Sequence, residues 1–188
     1  MRRSGLLFAL YLFAVVLGLG TAWFAVKRVG IEGVTAGAWR ADLLAGSADA
    51  GLYTRARIAV NAVLALDRSE TIYFLATHDD RGTPLRAECR YRLEGRAPAA
   101  LWWSITGYAE DNFLFPVESR RYSVSAHSLG VSTGQSYVAT VGPSTADIET
   151  QGIGPLRLTL RLYRPARSLQ DDPATLDAPS IEPVGACS

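Results

Sequence analysis

With 188 residues, 48% of them hydrophobic, and a formal net charge of +1, the chain has room for one packed domain beside an apolar leader and little more. The charge conceals a split: Arg2, Arg3, Lys27 and Arg28 flank the apolar segment, leaving fifteen basic against eighteen acidic residues beyond it. A mildly acidic remainder argues against nucleic acid as a partner, since phosphate binding needs a basic patch, and two cysteines, Cys89 and Cys187, rule out a disulfide-rich scaffold or a thiolate metal knuckle.

The first element, residues 5–26, carries no charge, and at about 1.5 Å per residue it covers the roughly 30 Å of a bilayer's hydrocarbon. It is longer than the apolar core of a signal peptide. Trp23 and Phe24 continue it past Gly20, Thr21 and Ala22, where cleavage would fall, so residues 1–28 are expected to be an uncleaved signal anchor, with a cleaved signal peptide as the rival. Basic residues on both sides nearly balance the positive-inside rule. The expected orientation is N-terminus inside and the soluble domain in the periplasm of a bacterium, single-pass in the inner membrane, because one short anchor ahead of a β-rich domain suffices to tether an exported module.

Residues 29–51 are rich in Gly, Ala and small polar side chains around one aromatic, Trp39, which predicts a loosely ordered spacer with one packing point. Over residues 52–66 the apolar positions Ala56, Val60, Val63 and Leu64 recur at helical spacing, predicting one amphipathic helix with Arg55, Arg57 and Asn61 on its solvated side. Beyond residue 70 the period changes to 2. Short antiparallel strands are predicted near 71–77, 86–93, 101–108, 120–125, 136–141 and 156–163, the first two joined as a hairpin by the turn at 79–84. Alternation in the second strand points Cys89 inward with Tyr91 and Leu93. A buried free thiol is the first reading there, and a bridge to Cys187 in an oxidising compartment the second.

The 101–108 stretch is the most aromatic in the chain. Leu101, Trp103 and Ile105 are expected to face the core, and Trp102, Ser104, Thr106 and Tyr108 the other side, which is either a binding surface or a packed layer. In 156–163 four leucines alternate with Arg157, Thr159, Arg161 and Tyr163, a half-buried strand. The tail from about residue 165 holds four prolines and several acids and is predicted as surface coil without strand pairing. The fold class that follows is mainly β: an antiparallel β-sandwich or jelly-roll-like domain over 52–188 with one amphipathic helix, preceded by one N-terminal transmembrane helix.

Candidate chemistry is sparse. Gly130-Val131-Ser132-Thr133-Gly134 has the glycine and serine spacing of a hydrolase elbow, but polar residues precede it and a strand follows, so the glycines read as turn formers. His127 lies near it without an acid partner in sequence. His78-Asp79-Asp80 has the side chains of a cation or acid-base site, yet Asp at a turn serves the backbone. Glu110-Asp111-Asn112, just after Tyr108, sets carboxylates beside an aromatic strand, a combination suited to sugars. Arg120, Arg121, Arg157 and Arg161 with Tyr122 and Tyr163 are suited to an anionic or planar ligand, or to cross-strand pairing with Glu88, Glu94 or Glu118. No phosphate-cradling loop, dinucleotide fingerprint or haem motif is present.

Several segments together resemble a known family. They are Tyr53-Thr54-Arg55-Ala56, Ile72-Tyr73-Phe74, the turn at 79–85, Arg90-Tyr91-Arg92-Leu93, Trp102-Trp103-Ser104-Ile105-Thr106, Arg121-Tyr122-Ser123 and the run from Gly154 to Pro165. The pattern is similar to the family catalogued as domain of unknown function 1214, over about residues 53–165. The resemblance implies a β-sandwich or jelly-roll-like bacterial domain, frequently envelope-associated, with no activity that transfers. Members often follow a second uncharacterised domain, number 1254, whose place a membrane anchor takes here. They usually carry Trp-Leu-Pro before the last strand, where this chain reads Glu149-Thr150-Gln151-Gly152-Ile153.

The function expected is a non-enzymatic, membrane-anchored binding or accessory module of the cell envelope. Its partners are the membrane, through residues 5–26, and a glycan or small polar ligand, with Trp102, Tyr108, Asp111 and Arg121 as candidate contacts. No cofactor and no metal are expected. The alternative is a hydrolase or other enzyme acting on glycans or small polar molecules, with Glu110 and Asp111 as acid-base groups.

Overall fold

A computed structural model describes residues 2–28, 33–42, 46–60, 66–185 and 187. The first element, α1 (Arg2–Arg28), runs unbroken because its 27 residues include no proline and are mostly Leu, Ala, Phe and Val. Thr21 returns its hydroxyl to the carbonyl of Leu17 at 2.8 Å, so its polar group is satisfied within the helix. Over residues 5–24 the helix is apolar on every side and its side chains are exposed. Over Ser4–Val26 it is long and apolar enough to cross a membrane, which fits a membrane anchor or a signal sequence.

The rest is built around two sheets. The larger contains β1 (Gly33–Ala36), β2 (Trp39–Asp42), β3 (Thr71–Ala76), β5 (Ala100–Tyr108), β6 (Ser123–Ser125) and β9 (Arg157–Pro165), in the order β1-β2-β3-β9-β5-β6. The smaller contains β4 (Tyr91–Arg96), β7 (Ser136–Pro143), β8 (Ile148–Thr150) and β10 (Ser180–Pro183), in the order β10-β4-β7-β8. Every pairing is antiparallel except that of β7 with β8. The helices are α2 (Leu52–Val60), α3 (Ala126–Leu129) and α4 (Arg167–Asp171). The sheets form the expected sandwich. Phe74, Trp103, Ile105, Leu158, Leu160 and Leu162 from one sheet bury against Leu93, Ala139, Val141, Ile148 and Ile181 from the other, as alternating strands with one apolar face must.

Local differences from the sequence reading have physical reasons. Within the predicted spacer, residues 33–42 form a hairpin turned at Gly37 (φ 60°), and β2 continues the sheet by pairing with β3. Trp39 is fully buried and donates from Nε1 to the carbonyl of Pro179 at 2.7 Å. Strands of four residues offer too few alternations to stand out. The tail also pairs: β10 adds to β4 with Ile181 opposite Leu93. An edge strand tolerates its flanking prolines because one row of its backbone groups needs no partner in the ladder.

The turn after β3 folds back locally, with Asp79 Oδ1 accepting from the amides of Arg81 and Thr83. It does not make a hairpin of β3 and β4, which lie in different sheets. Residues 86–90 instead cross between the sheets. Cys89 is bridged to Cys187, with Cα atoms 5.5 Å apart, and this corrects the free-thiol reading.

Helix α2 covers Leu52–Val60, with Ala56 and Val60 exposed rather than packed. Val63 and Leu64, the rest of its predicted apolar stripe, lie outside the described residues. Leu101, the second residue of β5, is 73% exposed and not in the core as expected, whereas Trp103 and Ile105 take the inward positions expected of them.

Candidate functional site

Strand β9 sits between β3 and β5, and its register determines which side chains share the outer face of the larger sheet. Tyr163 lies opposite Trp102 and Thr71, Arg161 opposite Ser104 and Tyr73, Thr159 opposite Thr106, and Arg157 opposite Tyr108. Inward residues alternate with these, so the face is a field of hydroxyls, rings and guanidinium groups.

The hydroxyl-bearing residues near the sheet plane, Ser104, Thr106 and Thr159, are buried, and longer side chains rise above them. At one end Trp102 is 41% exposed and its ring centroid is 5.1 Å from that of Tyr163. At the other, Arg161 leans along the strand, donating from Nη1 to Thr106 Oγ1 at 3.0 Å and from Nη2 to the Tyr108 hydroxyl at 2.6 Å. Its guanidinium carbon stands 5.5 Å from the centre of the Tyr108 ring. Arg157, across from Tyr108, donates from Nη1 to Asn112 Oδ1 at 2.8 Å.

The candidates from sequence separate into three places. Trp102 and Tyr108 share the outer face, six residues apart on one strand and hence about 20 Å from each other. Asp111 lies in the turn beyond β5, where its Oδ1 accepts from the amide of Phe113 at 3.0 Å. Glu110 and Asp111 line an open groove of about 470 Å³ with Ala87, Phe115, Gln151 and Ile153. Gln151 and Ile153 belong to the stretch 149–153, where the resemblance implied Trp-Leu-Pro. The groove includes neither Trp102 nor Tyr108.

Arg121 is elsewhere again. Leading into β6, it donates from Nη2 to Glu149 Oε2 at 2.8 Å, and Ser119 donates to the same oxygen. The Glu149 amide donates to the carbonyl of Arg121, so these residues fasten an edge of the larger sheet to β8 of the smaller. The Ser119 hydroxyl, and then the Arg121 guanidinium, hold the Glu149 carboxyl below the usual carboxylate range. Glu88, across the groove wall, is lowered similarly by the Gly154 amide and then by Arg86.

The remaining motifs serve the backbone. Gly130 closes α3 at φ 64° and Gly134 turns the chain at φ 80°, with no helix after Ser132 to build an elbow. Asp80 Oδ2 accepts from the amide of Ile181 at 2.8 Å and so helps hold the tail. Among the described residues no three His, Cys, Asp or Glu side chains gather as a metal site requires.

Residues missed by the sequence reading as one cluster are Arg157, Arg161 and Asn112 around Tyr108. Alternation already placed both arginines on an outer face, but that β9 lies beside β5 is a property of the topology and leaves no local signal.

Comparison with known proteins agrees with this architecture. The family described as "Protein of unknown function (DUF1214)" matches residues 70–167. Among solved structures, the chain is similar to the VPA0106 protein from Vibrio parahaemolyticus, at 19% identity and a TM-score of 0.57 over 73% of this chain and 36% of that one. It is also similar to an uncharacterized protein from Burkholderia cenocepacia, at 16% identity and a TM-score of 0.40 over 63% and 31%. The chain spans about a third of the length of each, and the likeness to the first shows the fold. No curated protein matches the sequence.

Proposed function

The chain belongs to the DUF1214 family, and from that premise we propose that it is a non-enzymatic binding or accessory module of a bacterial cell envelope. It is tethered to the inner membrane by residues 5–26, with the sandwich in the periplasm, and takes a small polar ligand or glycan on the outer face of the larger sheet. The observation that carries the binding role is that face itself: Trp102 and Tyr163 at one end and Tyr108 with two arginines at the other. Rings that present a flat apolar body beside hydrogen-bonding groups suit sugars and other polar, flat-faced molecules. The Cys89–Cys187 bridge supports the exported side, since such bridges persist in oxidising compartments.

The test is a titration of the full chain in detergent micelles with the neutral disaccharides maltose and cellobiose and with simple anions, followed by tryptophan emission and unfolding temperature. Wild type responds to at least one compound, and Trp102→Ala removes the response to the disaccharides. Silence toward every compound overturns the binding role. A reporter fused after Ser188 tests the orientation, and activity of that reporter in the cytoplasm reverses it.

One observation favours a second reading. Glu110 and Asp111 line the open groove, where acid-base hydrolysis of glycans or small polar molecules is the chemistry to look for. Against it, adjacent residues in a turn seldom attain the carboxyl separation that glycoside hydrolysis requires, and one Asp111 oxygen is committed to Phe113. Turnover of chromogenic glycosides that disappears in Glu110→Gln or Asp111→Asn establishes the enzyme, and its absence from wild type removes it.

A further inference from the structure

Two arginines at the Tyr108 end of the outer face are held only by neutral acceptors. Arg161 gives one hydrogen to Thr106 and one to Tyr108, and Arg157 gives one to Asn112. The ion pairs among the described residues lie elsewhere: Arg86 with Glu88, Arg92 with Glu94, Arg121 with Glu149, and Arg167 with Asp171. The acids nearest Tyr108 in sequence, Glu110 and Asp111, line the groove and pair with neither arginine.

A guanidinium carries five N–H donors. Arg161 therefore keeps three beyond its bonds to Thr106 and Tyr108, and Arg157 keeps four beyond its bond to Asn112. The Tyr108 hydroxyl accepts from Arg161, which leaves its own O–H free to donate outward. Asn112 adopts a left-handed backbone (φ 67°), a conformation Asn tolerates better than most residues, and this brings its carbonyl oxygen to Arg157. The register sets the two arginines four residues apart on β9, on one face and about 13 Å apart at the backbone.

The resulting arrangement is Tyr108 with the Arg161 guanidinium against its ring and hydroxyl and Arg157 opposite it on β9, with donors left over and neither guanidinium paired to a carboxylate among the described residues. Resting on the proposal that this face binds ligand, we infer that the cluster Arg157–Tyr108–Arg161 is the anion-recognition site of the module. Its ligand carries a carboxylate or a phosphate, which the guanidinium forks engage through charge-assisted bonds. Thr106 and Asn112 act as positioning residues that aim the two guanidinium groups. The partly exposed setting makes binding weaken as ionic strength rises.

The experiment titrates the full chain in detergent micelles with inorganic phosphate and, separately, with acetate, at constant ionic strength made up with chloride. Unfolding temperature and calorimetric affinity are recorded. Wild type is stabilised by at least one of the two anions. A response to phosphate alone identifies phosphate as the ligand group, and a response to acetate identifies carboxylate.

Arg161→Gln and Arg157→Gln each weaken the affinity by about tenfold or more, the loss of a charge-assisted bond. Tyr108→Phe, which keeps the ring and removes the O–H, weakens it severalfold. Arg92→Gln, on the smaller sheet, leaves it unchanged. Should Arg161→Gln fail to fold, Arg157→Gln and Tyr108→Phe still decide the question.

Wild-type affinity in the variants, or no response to either anion, overturns the inference. A retained disaccharide response that depends on Trp102 then leaves the binding module standing, whereas loss of that response as well removes both.

Discussion

The rings of Trp103 and Tyr137 meet with centroids 4.8 Å apart, joining β5 of one sheet to β7 of the other. The adjacent Trp102 points the opposite way, and its ring meets that of Tyr163 on its own sheet. Two neighbouring tryptophans thus do different work. Trp103→Ala opens a cavity between the sheets and is expected to cost about 3–5 kcal/mol, whereas Trp102→Ala costs less, because the residue is 41% exposed and leaves no closed cavity. Urea unfolding of the two variants checks this, and equal losses contradict the assignment of faces.

The Tyr137 hydroxyl is buried with no hydrogen-bond partner among the described residues. Burial, and then the charge of Asp177, push its ionisation well above the ordinary tyrosine range. The fold holds the neutral phenol, so the contribution of this group is complete below pH about 10. It is lost as pH rises further, because the unfolded chain ionises where the folded one resists. Tyr137→Phe is expected to stabilise the domain by about 1 kcal/mol, since it removes a desolvated group without a partner, and to flatten part of the decline above pH 10. Unfolding midpoints of both proteins between neutral and alkaline pH provide the measurement.

Glu149 behaves in the opposite sense. Its carboxyl is held below the unfolded value of 4.5, first by Ser119 and then by Arg121. The stabilisation it provides is therefore present above pH 4.5 and disappears as pH falls through the lowered folded value. In Glu149→Gln the acid limb of the stability curve becomes shallower. An unchanged acid limb contradicts a role for this carboxylate in closing the sandwich edge.

The Cys89–Cys187 bridge closes a loop of 98 residues in sequence separation, so reduction releases the tail that β10 and Pro179 anchor. Cys187→Ser or reduction is expected to lower stability by about 2–5 kcal/mol. Alkylation of the protein as isolated from cells reports the state directly: two blocked thiols mark an exported chain, and two reactive ones count against export.

Much of this fold is written in local pattern. The leucine alternation of 156–163 yielded β9, the Trp stretch yielded β5, and the apolar run yielded α1. Each is long enough for its period to rise above noise. What escaped was short or non-local. Strands β1, β8 and β10 hold three or four residues, and in β10 the prolines argue against a strand in any setting but an edge. The candidate site shows the same division: Trp102 and Tyr108 were legible as outward residues of one strand, but Arg161 reaches Tyr108 only because strands far apart in sequence are neighbours in space.

That neighbourhood also sets the order in which the molecule is made. Strand β9 lies between β3 and β5, pairing Ile72 with Leu162 and Ile105 with Leu160, yet it emerges after both. Until Arg157–Pro165 has left the ribosome, or has crossed the membrane, β3 and β5 each present an open edge with nothing to fill the gap. Contacts of such long sequence separation make closure slow, and a chain stalled at this point displays two unpaired strands ready to join those of another copy. The centre of the sheet is therefore a late-arriving keystone, and the most hazardous moment in the life of this protein comes just before β9 takes its place.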